Sequence, residues 1–67
     1  MKILDVAKKI EWEGGVFNAI VADPTFIDDI EDPRLRRMLF EAQMLVEKFL
    51  SVESEIGDFL VDRTPNM

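Results

Sequence analysis

Five carboxylates cluster near the middle of the chain and are the side chains most suited to chemistry: Asp23, Asp28, Asp29, Glu31 and Asp32. Carboxylate oxygens are the ligands that a hard cation such as Ca²⁺ prefers. The stretch lacks the pattern of a calcium-binding loop, which needs Gly at its sixth position and Glu at its twelfth. Because Asp is also favoured at helix N-termini, we interpret the stretch as helix caps and solvated loop. We expect no metal and no cofactor.

Nucleophilic catalysis has few candidate residues. The chain contains no His, Cys or Tyr, and its serines are Ser51 and Ser54, with no suitable base near them in sequence. A nucleophile, a base and an orienting group therefore cannot be assembled. The same absences remove disulfides, zinc sites of the usual kind and haem ligation through His. We expect that the protein is not an enzyme.

One basic cluster stands out, formed by Arg34, Arg36 and Arg37. Cations near a helix N-terminus are unfavourable because of the macrodipole, so their placement calls for a reason. One reason is pairing with the preceding carboxylates and with Glu41, one turn after Arg37. The other is contact with an acidic partner or a phosphate, which makes these three arginines candidate polar partner contacts.

The composition restricts the class of partner. The chain has 67 residues, a formal charge of −6 and 48% hydrophobic residues. The acidity disfavours nucleic acid and anionic lipid as partners, and the apolar content argues against disorder. No apolar run approaches the roughly 18 residues of a membrane span, and the N-terminus lacks a signal peptide's apolar centre. We expect a cytoplasmic protein that gains stability from a partner subunit, because chains this short form small cores.

Two Asp-Pro pairs mark the predicted helix boundaries, Asp23-Pro24 and Asp32-Pro33. Asp can cap a helix, and Pro is favoured at the first helical position. Helices should therefore start at residues 24 and 33. Between the pairs, a short helical segment would turn Phe26, Ile27 and Ile30 inward.

From Pro33 onward, apolar residues recur every seven positions. Two columns carry the repeat: Leu35, Ala42, Phe49 and Ile56, then Met38, Leu45, Val52 and Phe59. Three further residues widen the stripe: Leu39, Val46 and Leu60. A flanking column is charged: Glu41, Lys48, Glu55 and Asp62. Four heptads in phase predict a long amphipathic helix from about residue 33 to about 61, with Gly57 as a weak point where it could end early.

The first segment also has helical spacing, since Ile3, Val6, Ala7 and Ile10 share one face. The same phase continues across Gly14 and Gly15 to Phe17, Ile20 and Val21. This favours one helix of about 18 residues, kinked or closely packed at the glycines. The alternatives are a helix end with left-handed Gly, an anion-binding nest, or a strand over "VFNAIVA".

These elements predict an all-α helical hairpin: an N-terminal helix, a short connecting helix and a long C-terminal amphipathic helix. Residues 1–62 would form a single domain and residues 63–67 a loose tail. Two copies would pair as a dimeric helical bundle, since a lone hairpin has a seam but no enclosed core.

Phe40 and Met44 lie one turn apart and roughly opposite the main apolar stripe, so a simple hairpin cannot bury both faces. We expect them to be buried in a homo-oligomer or to form a docking patch for another protein. Trp12 lies at the edge of the first helix's stripe, where it either covers the seam or anchors an interface. The predicted interface residues are Trp12, Gly14, Phe17, Leu35, Met38, Leu39, Phe40, Met44, Leu45, Phe49, Val52, Ile56 and Phe59.

The sequence favours a small acidic protein–protein interaction module that self-associates and acts as an adaptor, assembly factor or regulatory subunit. A first alternative is an acidic inhibitor that imitates nucleic acid and occupies a basic groove. A second is a small helix-turn-helix regulator with the glycines as its turn. The second alternative is weakened because "VFNAIVAD" has no cation and only Asn18 to contact bases.

Overall fold

The computed structural model describes residues 1–63, which form four helices joined by short turns. Helix α1 is Ile3–Glu13 and α2 is Val16–Ala22. A 3₁₀ helix, Pro24–Asp29, which we call the connecting helix, precedes the long helix α3, Pro33–Arg63. The described residues contain no strand, which confirms the all-α class with a long C-terminal helix. The strand alternative for residues 16–22 is wrong, because these residues form α2.

The N-terminal segment is two helices, and the prediction of one continuous helix is wrong. Gly14 has φ +90°, and its N–H donates to the Glu11 carbonyl at 3.2 Å. The Gly15 N–H donates to the Ile10 carbonyl at 2.9 Å, which completes the paired bonds of a Schellman motif. Gly15 itself has φ +131° and ψ 170°, a combination open almost only to glycine. The two glycines therefore end α1 and redirect the chain into α2.

Both predicted helix starts are confirmed, but only one aspartate caps its helix. The Asp32 Oδ1 atom accepts the N–H groups of Arg34 at 3.0 Å and Leu35 at 2.9 Å, which satisfies two free donors at the start of α3. Asp23 makes no side-chain bond to the backbone of the connecting helix. The inward-facing trio of Phe26, Ile27 and Ile30 is buried as expected.

The chain folds back on itself so that α2 lies between α1 and α3. Phe17, at the start of α2, contacts Phe49, while Arg36 near the start of α3 donates through Nη1 to the Ile30 carbonyl at 3.3 Å. The first contact places the start of α2 against the middle of α3, and the second ties the start of α3 to the residue that follows the connecting helix. The start of α1 is held near the same end, because the Glu31 N–H donates to the Met1 carbonyl at 3.0 Å.

Lys9 ties α1 to the turn before the connecting helix. Its Nζ lies 3.5 Å from the Asp23 carboxylate and 5.5 Å from the centre of the Phe26 ring. The lysine therefore combines an ion pair with a cation–π contact. Both contacts hold α1 against the segment that closes the core.

The core is formed by eight buried apolar residues: Val6, Ala19, Ile20, Phe26, Ile27, Ile30, Leu39 and Val46. All of them lie at or before residue 46, whereas α3 continues to Arg63. With 31 residues at 1.5 Å per residue, helix α3 is about 46 Å long. The molecule measures 51 × 21 × 13 Å. Its radius of gyration is 15.8 Å, against about 11 Å expected for a compact domain of this length.

The end of α3 differs slightly from its prediction. The helix passes through Gly57 without interruption and reaches Arg63, the last described residue, two residues beyond the expected end. Arg63 was expected to begin a loose tail and is instead helical. The other residues of that expected tail, 64–67, lie outside the described residues.

Candidate interaction surface

Beyond Phe49, which contacts Phe17 of α2, the second half of α3 is left uncovered by the rest of the described chain. Every residue from 47 to 63 is exposed. Seven of the exposed side chains in this half are large and apolar, and Leu45 just before it adds an eighth: Phe49, Leu50, Val52, Ile56, Phe59, Leu60 and Val61. Isolated exposed apolar residues are common, whereas a continuous series of this size is typical of an interaction surface.

The exposed apolar residues occupy one side of α3. With 3.6 residues per turn, those between residues 47 and 63 spread over an arc of about 200°. Most of the opposite arc is polar, with Glu47, Ser51, Glu55 and Asp58 among its members. The helix is therefore amphipathic beyond the end of the core, where its own fold offers nothing to cover the apolar side.

We call the two heptad columns of α3 the seam: Leu35, Met38, Ala42, Leu45, Phe49, Val52, Ile56 and Phe59. Its second column is exposed over the whole helix, from 42% at Val52 to 70% at Leu45. In the first column, Leu35 and Ala42 are half-buried, whereas Phe49 and Ile56 are exposed. The seam thus remains largely open in the single chain.

Contacts within the chain use the column next to the seam. Leu39 and Val46 are 5% and 8% exposed and belong to the core. Leu60 continues their column but is exposed, because α2 and the connecting helix do not reach so far along α3. Leu39, predicted as an interface residue, is therefore a core residue of the single chain.

An apolar groove of about 520 Å³ lies where α2 meets α3. Its walls are Phe17, Leu45, Val46, Phe49 and Glu53. The Phe17 and Phe49 rings are edge-to-face, with centroids 5.9 Å apart and planes at 86°, an arrangement that aromatic quadrupoles favour. Since Leu45 and Phe49 also belong to the seam, the groove and the seam form one continuous apolar surface.

The total surface is larger than a compact monomer requires. The chain exposes 5499 Å², whereas a compact protein of 7.7 kDa exposes about 4,300 Å². The excess of about 1,200 Å² is comparable to the roughly 800 Å² that each partner contributes to a standard protein interface. The exposed side chains of α3 contribute to this excess.

The arginine cluster is exposed at the start of α3. Arg36 donates to the Ile30 carbonyl. Among residues 1–63, the ion pair with a nitrogen–oxygen distance below 4.0 Å joins Lys9 and Asp23, so it includes none of the three arginines. The predicted pairing of Arg34, Arg36 and Arg37 with nearby carboxylates is therefore wrong for these residues.

The remaining predicted interface residues lie at separate places on the surface. Trp12 is 87% exposed at the end of α1, so it does not cover the contact between the helices of the chain. Gly14 lies in the turn after α1. Phe40 lines a cleft of about 390 Å³ beside the connecting helix, together with Ile27 and Arg37. Met44 is exposed one turn later. None of these four belongs to the seam.

Two exposed apolar residues, Leu50 and Val61, were missed from the sequence. They lie outside both heptad columns, so a search for a seven-residue repeat passes over them. A helical projection of residues 47–63 finds them, because both border the apolar arc. They show that the uncovered face is wider than a two-column seam.

The acidic stretch is distributed among local contacts. The Asp23 carboxylate accepts a hydrogen bond from the Thr25 hydroxyl at 2.7 Å. This bond, together with the charge of Lys9, holds the Asp23 pKa below its ordinary value, although partial desolvation opposes the shift. Among residues 1–63, no three carboxylates converge as metal ligands would.

A scan against protein-family models, and searches of curated proteins and of solved structures, found no match to this chain. Over the part of the chain that the structure describes, no helix combines the length and the apolarity that crossing a membrane requires.

Proposed function

We propose that this protein is a small acidic helical interaction module that self-associates through the seam of α3 and serves as an adaptor, assembly factor or regulatory subunit. The observation that supports the proposal best is the uncovered second half of α3. Most helical stability in proteins comes from packing an apolar face against another element. Burial of the apolar face of this half against a partner would therefore stabilise the helix.

The period of the pattern favours a second long helix as the cover. Apolar residues repeated every seven positions keep a straight helix in contact with a partner that winds around it. The repeat continues over four heptads, with Leu, Ile, Val, Met and Phe at the seam. The best matched partner at hand is α3 of a second copy, since a two-fold interface uses the same surface on both subunits.

Sedimentation equilibrium or light scattering at micromolar concentration tests the proposal on the full chain. We expect a species of twice the chain mass of 7.7 kDa. Val52→Glu should raise the dimer dissociation constant by about 100-fold or more, because pairing would bury two unpaired charges. Val52 touches none of the core, so the variant chain should still fold.

Ser51→Glu is the matched control. It adds the same charge one residue away, on the polar side of α3, and should leave the mass of the species unchanged. A folded wild-type chain that stays monomeric at these concentrations refutes the proposal. Equal weakening by both substitutions would show that added charge, and not loss of the seam, is responsible.

Phe40 and Met44 lie away from the seam and remain accessible when two copies pair through it. A dimer of this kind could therefore hold a different protein at the Phe40 cleft, which would suit an adaptor. Phe40→Glu is then expected to leave the dimer mass unchanged, in contrast to Val52→Glu.

A further inference from the structure

The charges of α3 are divided between its two halves. Residues 33–48 contain four basic side chains and two carboxylates, a formal charge of +2. Residues 49–63 contain one basic side chain and four carboxylates, a formal charge of −3. One end of the helix is thus basic and the other acidic.

This distribution opposes the helix macrodipole. The N-terminus of a helix is partially positive and favours anions, whereas the C-terminus favours cations. Asp32 at the cap and Arg63 in the last turn follow the rule. Arg34 and Arg36 in the first turn do not follow it, and neither does Asp62 in the last turn. The charge pattern therefore destabilises the isolated helix.

The single chain does not compensate for this cost. Among the described residues, no carboxylate lies within 4.0 Å of the three arginines, and residues 47–63 are all exposed, with Phe49 in contact with Phe17 of α2. If another helix provides the compensation, it must present acid to the start of α3 and base to its end.

We infer that two copies pair antiparallel along their seams, so that the basic start of each α3 lies beside the acidic end of the other. This inference rests on the proposed self-association and specifies its orientation. Antiparallel pairing joins +2 to −3 at both ends of the dimer, and the two macrodipoles also oppose each other. Parallel pairing would place like charge on like charge at both ends.

The seam residues fit this orientation. Near-full overlap of the two helices sets Phe49 against the partner's Leu45 and Ala42 against the partner's Val52, around a two-fold axis near residue 47. The apolar grooves of the two copies then face each other at the centre. Arg34 flanks the seam at one end, and in this register it lies near the partner's Asp62, whereas Glu41 lies near the partner's Glu55, so the attraction is confined to the ends of the dimer.

The side on which α2 packs gives an independent reason. In a parallel pair, the charged column that begins with Arg34 and Glu41 would face the partner's Leu39 column. The first half of that column is already buried beneath α2 and the connecting helix. In an antiparallel pair, the charged columns face each other on the open side of both helices.

Cysteine cross-linking tests the orientation, because the natural chain contains no cysteine. Met38→Cys and Ile56→Cys place a thiol at the two ends of the seam. The two positions in one helix are about 27 Å apart. In the antiparallel dimer, two copies of the same variant should form no disulfide. A mixture of the two variants that has been allowed to exchange subunits should form a disulfide between position 38 of one copy and position 56 of the other. Sedimentation of each reduced variant shows whether the dimer is present.

The outcomes separate this inference from the proposed function. Monomeric reduced variants, beside a monomeric wild type, overturn the self-association. Dimers in which each variant cross-links with itself show parallel pairing and overturn the inference alone. Dimers in which even the mixture fails to cross-link also overturn the antiparallel register.

Charge exchange provides a second test on the full chain. Arg34→Asp and Asp62→Arg should each raise the dimer dissociation constant several-fold, and the two together in one chain should restore it. Raising salt from about 0.05 to about 0.5 M should reduce the difference between the wild type and each single variant, because it screens the attraction between Arg34 and the partner's Asp62.

Discussion

Phe17 and Phe49 join the short helix α2 to the middle of α3, with their ring centroids 5.9 Å apart and their planes nearly perpendicular. The pair lies where the core of the single chain ends and the uncovered half of α3 begins. It therefore contributes both to the fold and to the apolar groove beside Leu45.

Phe17→Ala should lower the free energy of unfolding by about 1–2 kcal/mol, because it removes a half-buried ring and an aromatic pair. Urea denaturation in the Val52→Glu background measures the loss without a contribution from self-association. Trp12→Ala is the control, since that ring is almost fully exposed, and its effect should stay within about 0.5 kcal/mol. Equal losses for the two variants would contradict the assigned contact.

Gly15→Ala should destabilise the fold by about 1–3 kcal/mol, because an alanine would have to adopt a backbone conformation that is essentially reserved for glycine. No atom lies within 4 Å of the added Cβ, so the cost arises from the backbone alone. Gly14→Ala should also destabilise, and Gly14→Asn less so, since Asn tolerates left-handed geometry. Thermal unfolding measures the stability of all three variants. If Gly15→Ala left the melting temperature unchanged, the backbone at residue 15 would not have the conformation described above.

Gly57→Ala should stabilise the fold, in contrast to the substitutions at Gly14 and Gly15. Gly57 is helical and has no positive φ, and a Cβ there would meet nothing within 4 Å. Replacement of an exposed helical glycine stabilises a helix by about 1 kcal/mol. The helical signal in circular dichroism should therefore rise and the melting temperature should not fall. A loss of helicity would indicate that residue 57 is not within a regular helix.

Protonation of Asp23 should make the fold less stable at low pH. Its pKa is lowered from 3.8, chiefly by the hydrogen bond from Thr25. A carboxylate with a lower pKa in the folded state stabilises that state above its unfolded pKa, and this contribution is lost as pH falls through the folded value. Asp23→Asn should remove this dependence below about pH 4.

Carboxyl NMR titration gives the Asp23 pKa directly. Thr25→Val removes the donated hydrogen bond and should bring the pKa back toward its ordinary value. A wild-type pKa at or above 3.8 would contradict the contact seen here.

The sequence was sufficient to predict the elements whose signals are local. Asp32-Pro33 marks the start of α3 because the cap and the fixed φ act within one turn. The heptad columns predict the helix that follows, and the apolar trio of the connecting helix is buried as its spacing indicates. The inferred seam also comes from this repeat.

The break at Gly14 could not be predicted from periodicity. The apolar phase that links Ile10 to Phe17 is compatible with one straight helix, and it is equally compatible with two helices that fold back on each other. Only the dihedral angles distinguish these cases, and glycine permits both. Nor does the repeat show that Leu39 and Val46 pack inside the chain while Leu45 does not, because that depends on where α2 lies.

The end of the buried core at Val46 implies a gradient of local stability along α3. Amide hydrogens before residue 46 are protected by the packed core and should exchange only on global unfolding. Those from residue 50 to residue 63 lie in the exposed part of the helix, so in the proposed dimer their protection depends on the partner helix. Their exchange should slow as protein concentration rises, while exchange in the first half does not change. Concentration would thus control how much of this protein is ordered at any moment.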